Sequence, residues 1–196
     1  MKMKILLMVC FIGFQLYAQP VYKPGAVVKG RNATYCCKDR GKFHIVVRNV
    51  LNTDTTDGVY YRNGERIRDD DPVQLRQLYD NDDLKQVLKE ELTQQEWDTL
   101  KCLQTSSLTI YVVSDHKGNP LEIAFDICTD DPVFTNMDPD RLFQLETRFK
   151  QIMKMDVWPV ANYIYHLKYT GGITYQELEK PKWWEEEGKY WKYEKK

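Results

Sequence analysis

The chain lacks most of the signatures by which enzymes announce themselves. It has no glycine-rich phosphate loop and no dinucleotide-binding turn. Its serines are Ser106, Ser107 and Ser114, and none stands in the G-x-S-x-G elbow of an esterase. The 3 histidines, His44, His116 and His166, form no H-E-x-x-H pair, and no paired C-x-x-C spacing exists. On this reading no cofactor, no metal and no catalytic residue is assigned. Charge of one sign is equally scarce. A formal net charge of -1 offers no basic field for phosphate, so nucleic acid is not an expected partner. Past the first twenty residues, no apolar run approaches the roughly 20 residues that span a bilayer.

What is present begins with an export address. Met1-Lys2-Met3-Lys4 is a positive start, Ile5 to Phe14 a short apolar run, and Leu16-Tyr17-Ala18 a small-residue cleavage site before Gln19. This three-part build is that of a secretory signal peptide. Cys10 follows Val9, which is not the small residue that a lipoprotein cysteine needs, so cleavage after Ala18 is preferred to lipidation. The expectation is a protein exported to the periplasm or beyond, without a membrane span once residues 1–18 are removed. Loss of Lys2 and Lys4 then takes the formal net charge from -1 to -3. In an oxidising compartment Cys36, Cys37, Cys102 and Cys128 permit disulfides. Cys36 and Cys37 are neighbours, between which a bond is strained. Cys102 and Cys128 bracket a hairpin and form the disulfide candidate, with buried free thiols as the alternative.

The pattern along the chain predicts an α+β fold, an antiparallel sheet with helices on one face. Residues 21–42 read as an irregular entry. Phe43 to Leu51 is a β-branched strand, and Val59 to Ile67 a small hairpin around Asn63-Gly64. Asp69-Asp70-Asp71 with Pro72 opens a helical stretch, in which Leu84, Val87, Leu88 and Leu92 give one apolar face. Thr93-Gln94-Gln95-Glu96 is a capping box that starts a second helix through Trp97, Leu100 and Leu103. Leu108–Val113 and Leu121–Ile127 are strands around a turn at 115–119. Asp138-Pro139-Asp140 starts a helix with Leu142, Leu145, Phe149, Ile152 and Met153 on one face. Trp158-Pro159-Val160 ends it. Tyr163–Tyr169 is a further strand, and Gly171-Gly172 permits a bend or hairpin into Ile173–Tyr175.

This order of strand, Asp115-His116-Lys117-Gly118 turn, strand, helix, Trp158-Pro159-Val160 and final strands resembles the C-terminal domain of TonB. The likeness covers about residues 107–175. It implies a fold and a periplasmic habit, and no energy transduction, since the retained anchor and the proline-rich spacer of TonB are missing. The whole chain also resembles small uncharacterised exported proteins of gut Bacteroidetes. The resulting division is a signal peptide at 1–18, an N-terminal α+β subregion at 19–106, a TonB-like subregion at 107–180 and an aromatic, charged tail at 181–196.

Few residues offer themselves as a site. His44 and His166 lie in strands on faces opposite their apolar neighbours, where hydrogen-bonded structural roles are usual. In the tail, Trp183, Trp184, Tyr190 and Trp191 stand among lysines and glutamates, and exposed aromatics of this kind stack on sugars or fill a partner's pocket. Folding of Trp183 and Trp184 back onto the domain is the alternative. Asp54-Thr55-Thr56 resembles the O-glycosylation sites of exported Bacteroidetes proteins, which makes Thr55 a modification candidate. Asp54-Thr55-Thr56-Asp57-Gly58 has the wrong spacing for a calcium loop. The expectation is therefore an exported, non-catalytic module that binds an envelope protein or glycan. The alternative is a small periplasmic hydrolase acting on glycan or peptide through an Asp/Glu acid–base pair. It requires two carboxylates, or a carboxylate and a histidine, to converge in a cleft.

Overall fold

The computed structural model describes residues 20–54, 59–68, 75–103, 106–157 and 164–179. The segment read as irregular from sequence holds two strands, β1 (Val27–Lys29) and β2 (Thr34–Asp39), joined around Gly30. β1 is a three-residue edge strand with almost no period-two signal, whereas in β2 the buried Tyr35 and Cys37 alternate with Thr34, Cys36 and Lys38, a period that the sequence reading passes over. The β-branched run forms β3 (His44–Asn49), with Ile45 and Val47 fully buried and His44, Val46 and Arg48 turned to the other face. A short strand β4 (Tyr60–Tyr61) follows.

The helical stretch expected from Asp69 does not run through residue 77, where β5 (Leu75–Gln77) lies instead. The helix α1 (Asn81–Glu91) begins at Asp80, whose carboxylate accepts from the backbone N–H of Asp82 and Asp83. The Asp83 side chain in turn accepts from the Asp80 N–H. A complete capping box sets this start, because it satisfies donors that the first helical turn leaves open. The same device at Thr93 and Glu96 opens α2 (Gln94–Cys102), where the sequence places it.

Strands β6 (Ser107–Ser114) and β7 (Pro120–Cys128) form the expected hairpin. Asp115 holds its turn by accepting from the N–H groups of Lys117 and Asn119. Helix α3 (Pro139–Ile152) is capped by Asp138 and carries proline in its first turn. It is followed by β8 (Met155–Val157), paired with β5 in a separate two-stranded sheet. Strand β9 (Ile164–Thr174) runs straight through Gly171-Gly172, paired with β6 from Ser107↔Thr174 to Ser114↔Leu167. The glycines therefore make no hairpin. Gly171 serves close packing: a Cβ there would lie 2.6 Å from the Met153 methyl and 3.2 Å from the Tyr79 hydroxyl.

The main sheet has the order β1-β2-β3-β7-β6-β9-β4 with every pairing antiparallel. Its core face meets α1 and α3 through Leu84, Leu88, Leu142, Leu145 and Phe149, packed with Tyr35, Ile45, Val47, Ile110, Phe125 and Ile127. Each such side chain contributes about 1.5–3 kcal/mol by leaving water. The α+β class with helices on one side is thus the observed one. Strands from both halves of the chain share this single sheet, since β3 pairs β7 from His44↔Cys128 to Arg48↔Ala124.

That placement also corrects the disulfide expectation. Cys36, Cys37, Cys102 and Cys128 are all free thiols. Cys102 is an exposed residue at the end of α2, while Cys128 ends β7 opposite His44.

Two measurements check these supports. Gly118 has φ +81°, and a Cβ there would sit 2.0 Å from the Met155 carbonyl oxygen. Gly118→Ala is therefore expected to cost about 2–4 kcal/mol in urea unfolding, from left-handed strain together with backbone overlap. Arg141 donates from Nη1 and Nη2 to the two carboxylate oxygens of Glu96, tying α3 to α2, and these bonds hold the Glu96 carboxyl down at about 2. A carboxyl depressed in the folded state adds stability above its ordinary value near 4.5 and loses it as pH falls towards 2. After allowance for solvent screening, Glu96→Gln should lower stability by about 1 kcal/mol at pH 7, with the difference from wild type closing between pH 4.5 and 2.

Candidate functional site

The sheet face turned away from α1 and α3 assembles side chains that are far apart in the sequence. The period of two along each strand puts Cys36 and Lys38 of β2, His44, Val46 and Arg48 of β3, and Glu122, Ala124 and Asp126 of β7 on this face. Tyr111 and Val113 of β6 and His166, Lys168 and Thr170 of β9 join them. A cleft of about 610 Å³ lies across these strands. Its floor is Val46, Ala124, Tyr111 and Val113, and its margins are Lys38, Arg48, Asn52, Asp54, Glu122 and Lys168.

Two charged clusters flank that floor. At one end Asp126 accepts from Arg40 Nη1 at 2.6 Å and from the Tyr111 hydroxyl at 3.1 Å, with His44 Nδ1 at 3.0 Å. The Arg40 guanidinium also lies over the Tyr111 ring, 4.9 Å from its centroid, a cation–π contact that fixes the ring's position. At the other end the chain leaving β3 folds over the sheet, and Asn52 donates to the Ile123 carbonyl. Glu122 accepts from the N–H groups of Thr53 and Asp54 at 2.6 and 3.2 Å and from the Thr53 hydroxyl. Arg48 donates through Nη2 to the carbonyls of Asn52 and Asp54. Asp54, with a side chain only 5% exposed, meets His166 Nδ1 at 3.1 Å and Lys168 Nζ at 3.0 Å. The segment 50–54 is thereby anchored to β7 and β9 at once.

This geometry can hold a ligand between fixed charges of both signs. A carboxylate kept in place by backbone N–H groups and a guanidinium kept in place by carbonyls lose little freedom on binding. The arrangement also pairs His166 with the Asp54 carboxylate, while the Asp54 backbone N–H is given to Glu122. Among the described residues no group of three or more His, Cys, Asp or Glu is placed to hold a metal ion.

The candidates read from the sequence fall elsewhere. Trp183, Trp184, Tyr190, Trp191 and Thr55, like the signal segment 1–18, lie outside the described residues. Cys102 and Cys128 take no part in the cleft. The strand histidines do: both are hydrogen-bonded to aspartates, as their face in the strand indicates, yet their partners come from 82 and 112 residues away. Arg48, Glu122, Tyr111 and Lys168 carry the cleft, and the sequence reading passes over them. Their one local signal is a polar or aromatic residue at every second position of a predicted strand, which marks a face and says nothing about neighbours. Among the other acidic residues, Asp80 and Asp83 serve as helix caps. Asp131 is wholly buried, where its carboxylate takes the N–H groups of Val133 and Phe134 and the Tyr175 hydroxyl at 2.5 Å.

The chain is similar in structure to a DUF5043 family protein from Bacteroides uniformis, with a TM-score of 0.63 at 15% identity. The match covers 80% of this chain and 89% of that one. At such identity the likeness establishes the fold. The comparison thus supports the Bacteroidetes style of the chain at the level of fold, and it does not show the TonB resemblance. No protein-family model matches the chain, and none of the curated proteins matches it in sequence.

Because Asp126 serves Arg40, His44 and Tyr111 together, its loss should be felt at all of them. Asp126→Ala is expected to destabilise the fold by about 1–3 kcal/mol. Arg40→Ala added to that variant should cost much less than it does alone, a coupling that a double-mutant cycle in urea would read.

Proposed function

We propose that this protein is an exported binding module whose ligand occupies the cleft on the open face of the sheet. One observation carries the reading: a recess of about 610 Å³ with an apolar and aromatic floor and prearranged charged margins. Ligand sites of small molecules range over about 300–1,000 Å³ and combine these two kinds of lining. The signal-like start at residues 1–18 supports an envelope setting, with an envelope glycan or protein as the partner class. Among the described residues no helix is long and apolar enough to cross a membrane.

A second reading draws on one specific feature: at the loop end of the cleft Glu122 takes the backbone N–H of Asp54, whose carboxylate pairs with His166. It makes the protein a small hydrolase of glycan or peptide, with those two carboxylates as its acid–base pair. Glu122 and Asp126 do not form such a pair. Four residues apart on one strand, they stand about 13 Å from each other, beyond the roughly 6.5–9.5 Å between the carboxyls of an inverting glycosidase.

Filling the floor separates these outcomes. Ala124→Trp should leave the urea midpoint close to wild type, because residue 124 faces away from the core. It should weaken the binding of any glycan or peptide captured on an array by tenfold or more. Undiminished capture by Ala124→Trp would remove the cleft as the site. Product release by the wild type that is lost in Glu122→Gln would select hydrolysis.

A further inference from the structure

We infer that the cleft takes an acidic sugar chain, one whose rings carry a carboxylate among their hydroxyls. This rests on the cleft being the binding site, and it goes further by assigning the ligand's chemistry from the donors and acceptors on its margins. The β2–β3 side is a surface of donors. Lys38 lines the cleft, is exposed, and its side chain makes no hydrogen bond or ion pair among the described residues. Next to it, Arg48 commits both protons of Nη2 to the carbonyls of Asn52 and Asp54. Its Nη1 and Nε make no hydrogen bond among the described residues, and its ion pair with Glu122 is a long one, 3.7 Å from Nη2. Two cations with unspent N–H groups on adjacent strands are complementary to an anion.

The loop end of the cleft has the opposite character. Among the described residues Glu122 Oε2 receives two long contacts, from the Asp54 N–H at 3.3 Å and from Arg48 Nη2 at 3.7 Å, and a carboxylate has about four acceptor sites in all. That end therefore has capacity for O–H donors. A sugar acid supplies both needs within one ring, an anion for Lys38 and Arg48 and hydroxyls for Glu122. Its C–H faces suit a floor of Val46, Ala124, Val113 and Tyr111. From β2 to β9 the cleft crosses four strand spacings, about 19 Å, which accommodates a chain of rings rather than one. An extended peptide would gain its affinity by pairing with an open strand edge. Here the backbone beneath the cleft is already spent, because β3, β7, β6 and β9 are paired with one another.

Calorimetric titration of the full chain with a galacturonate trimer, and with its carboxyl-reduced neutral counterpart, tests the assignment. The acidic trimer should bind at least about tenfold more tightly than the neutral one, and Lys38→Gln should remove about that factor for the acidic trimer alone. Ala124→Trp should abolish both. Equal binding of the two trimers, unchanged by Lys38→Gln but lost in Ala124→Trp, would overturn the acidic ligand and leave the cleft standing. Binding that survives Ala124→Trp would overturn the cleft itself. Failure of both trimers, or capture of a glutamate-rich peptide in their place, would overturn the sugar assignment.

Discussion

The pairing of β3 with β7 is the contact on which the rest of the molecule depends. It joins segments about eighty residues apart, from His44↔Cys128 to Arg48↔Ala124, and so welds the N-terminal strands to the central hairpin. Closing so long a loop costs conformational entropy, and the cost grows only slowly with length. It is offset on the core face, where Ile45, Val47, Phe125 and Ile127 are completely buried against the helices. A shift of this register by one residue would carry those side chains to the open face. The same register decides what meets on that face, placing Asp126 beside His44 and Arg48 beside Glu122.

The two faces of the sheet handle polarity differently. Beneath the helices, the buried carboxylates Glu146 and Asp131 are both hydrogen-bonded. Glu146, 1% exposed, accepts from the Tyr35 hydroxyl at 2.8 Å and pairs with Lys150 at 2.7 Å. Burial, followed by the neighbouring Glu146 charge, raises the Tyr35 phenol far above its usual range, so it remains a donor at every physiological pH. Burial likewise raises the Asp131 carboxyl, against the lowering effect of the Tyr175 hydroxyl and two backbone N–H groups. Such bonds tie the helix layer and the terminal 3-10 turn, Tyr175–Glu177, to defined positions on the sheet. On the open face the charges are more numerous, partly solvated, and arranged around a recess. Charge on the inner face holds layers together, whereas charge on the outer face bounds a space.

That difference bears on function. The outer clusters are held by carbonyls, backbone N–H groups and one another, so the cleft's margins are rigid before a ligand arrives. Rigid margins favour recognition, because little ordering remains to be done on binding. The proximity of His166, Asp54 and Glu122 belongs to the same anchoring of segment 50–54.

The sequence by itself determined the local and periodic features. Alternation in His44–Asn49 and in Leu108–Val113, the capping box at Thr93-Gln94-Gln95-Glu96 and the turn at Asp115 follow from interactions within a few residues, and all appear where the pattern puts them. The signal-like pattern at residues 1–18, which lies outside the described residues, is likewise local. Alternation also showed that His44 and His166 point away from the core. Only the tertiary structure decided who their partners are, because register depends on contacts that no local window contains. The same reason explains the missed strands. Residues 27–29 and 75–77 are too short to show a period, and they become strands only because β2 and β8 lie beside them. It explains Gly171-Gly172 as well: glycine permits a bend, but pairing with β6 and the close approach of Met153 require a straight strand. The cleft is the fullest case, since it is built from five strands whose order around β7 is a property of the folded chain alone.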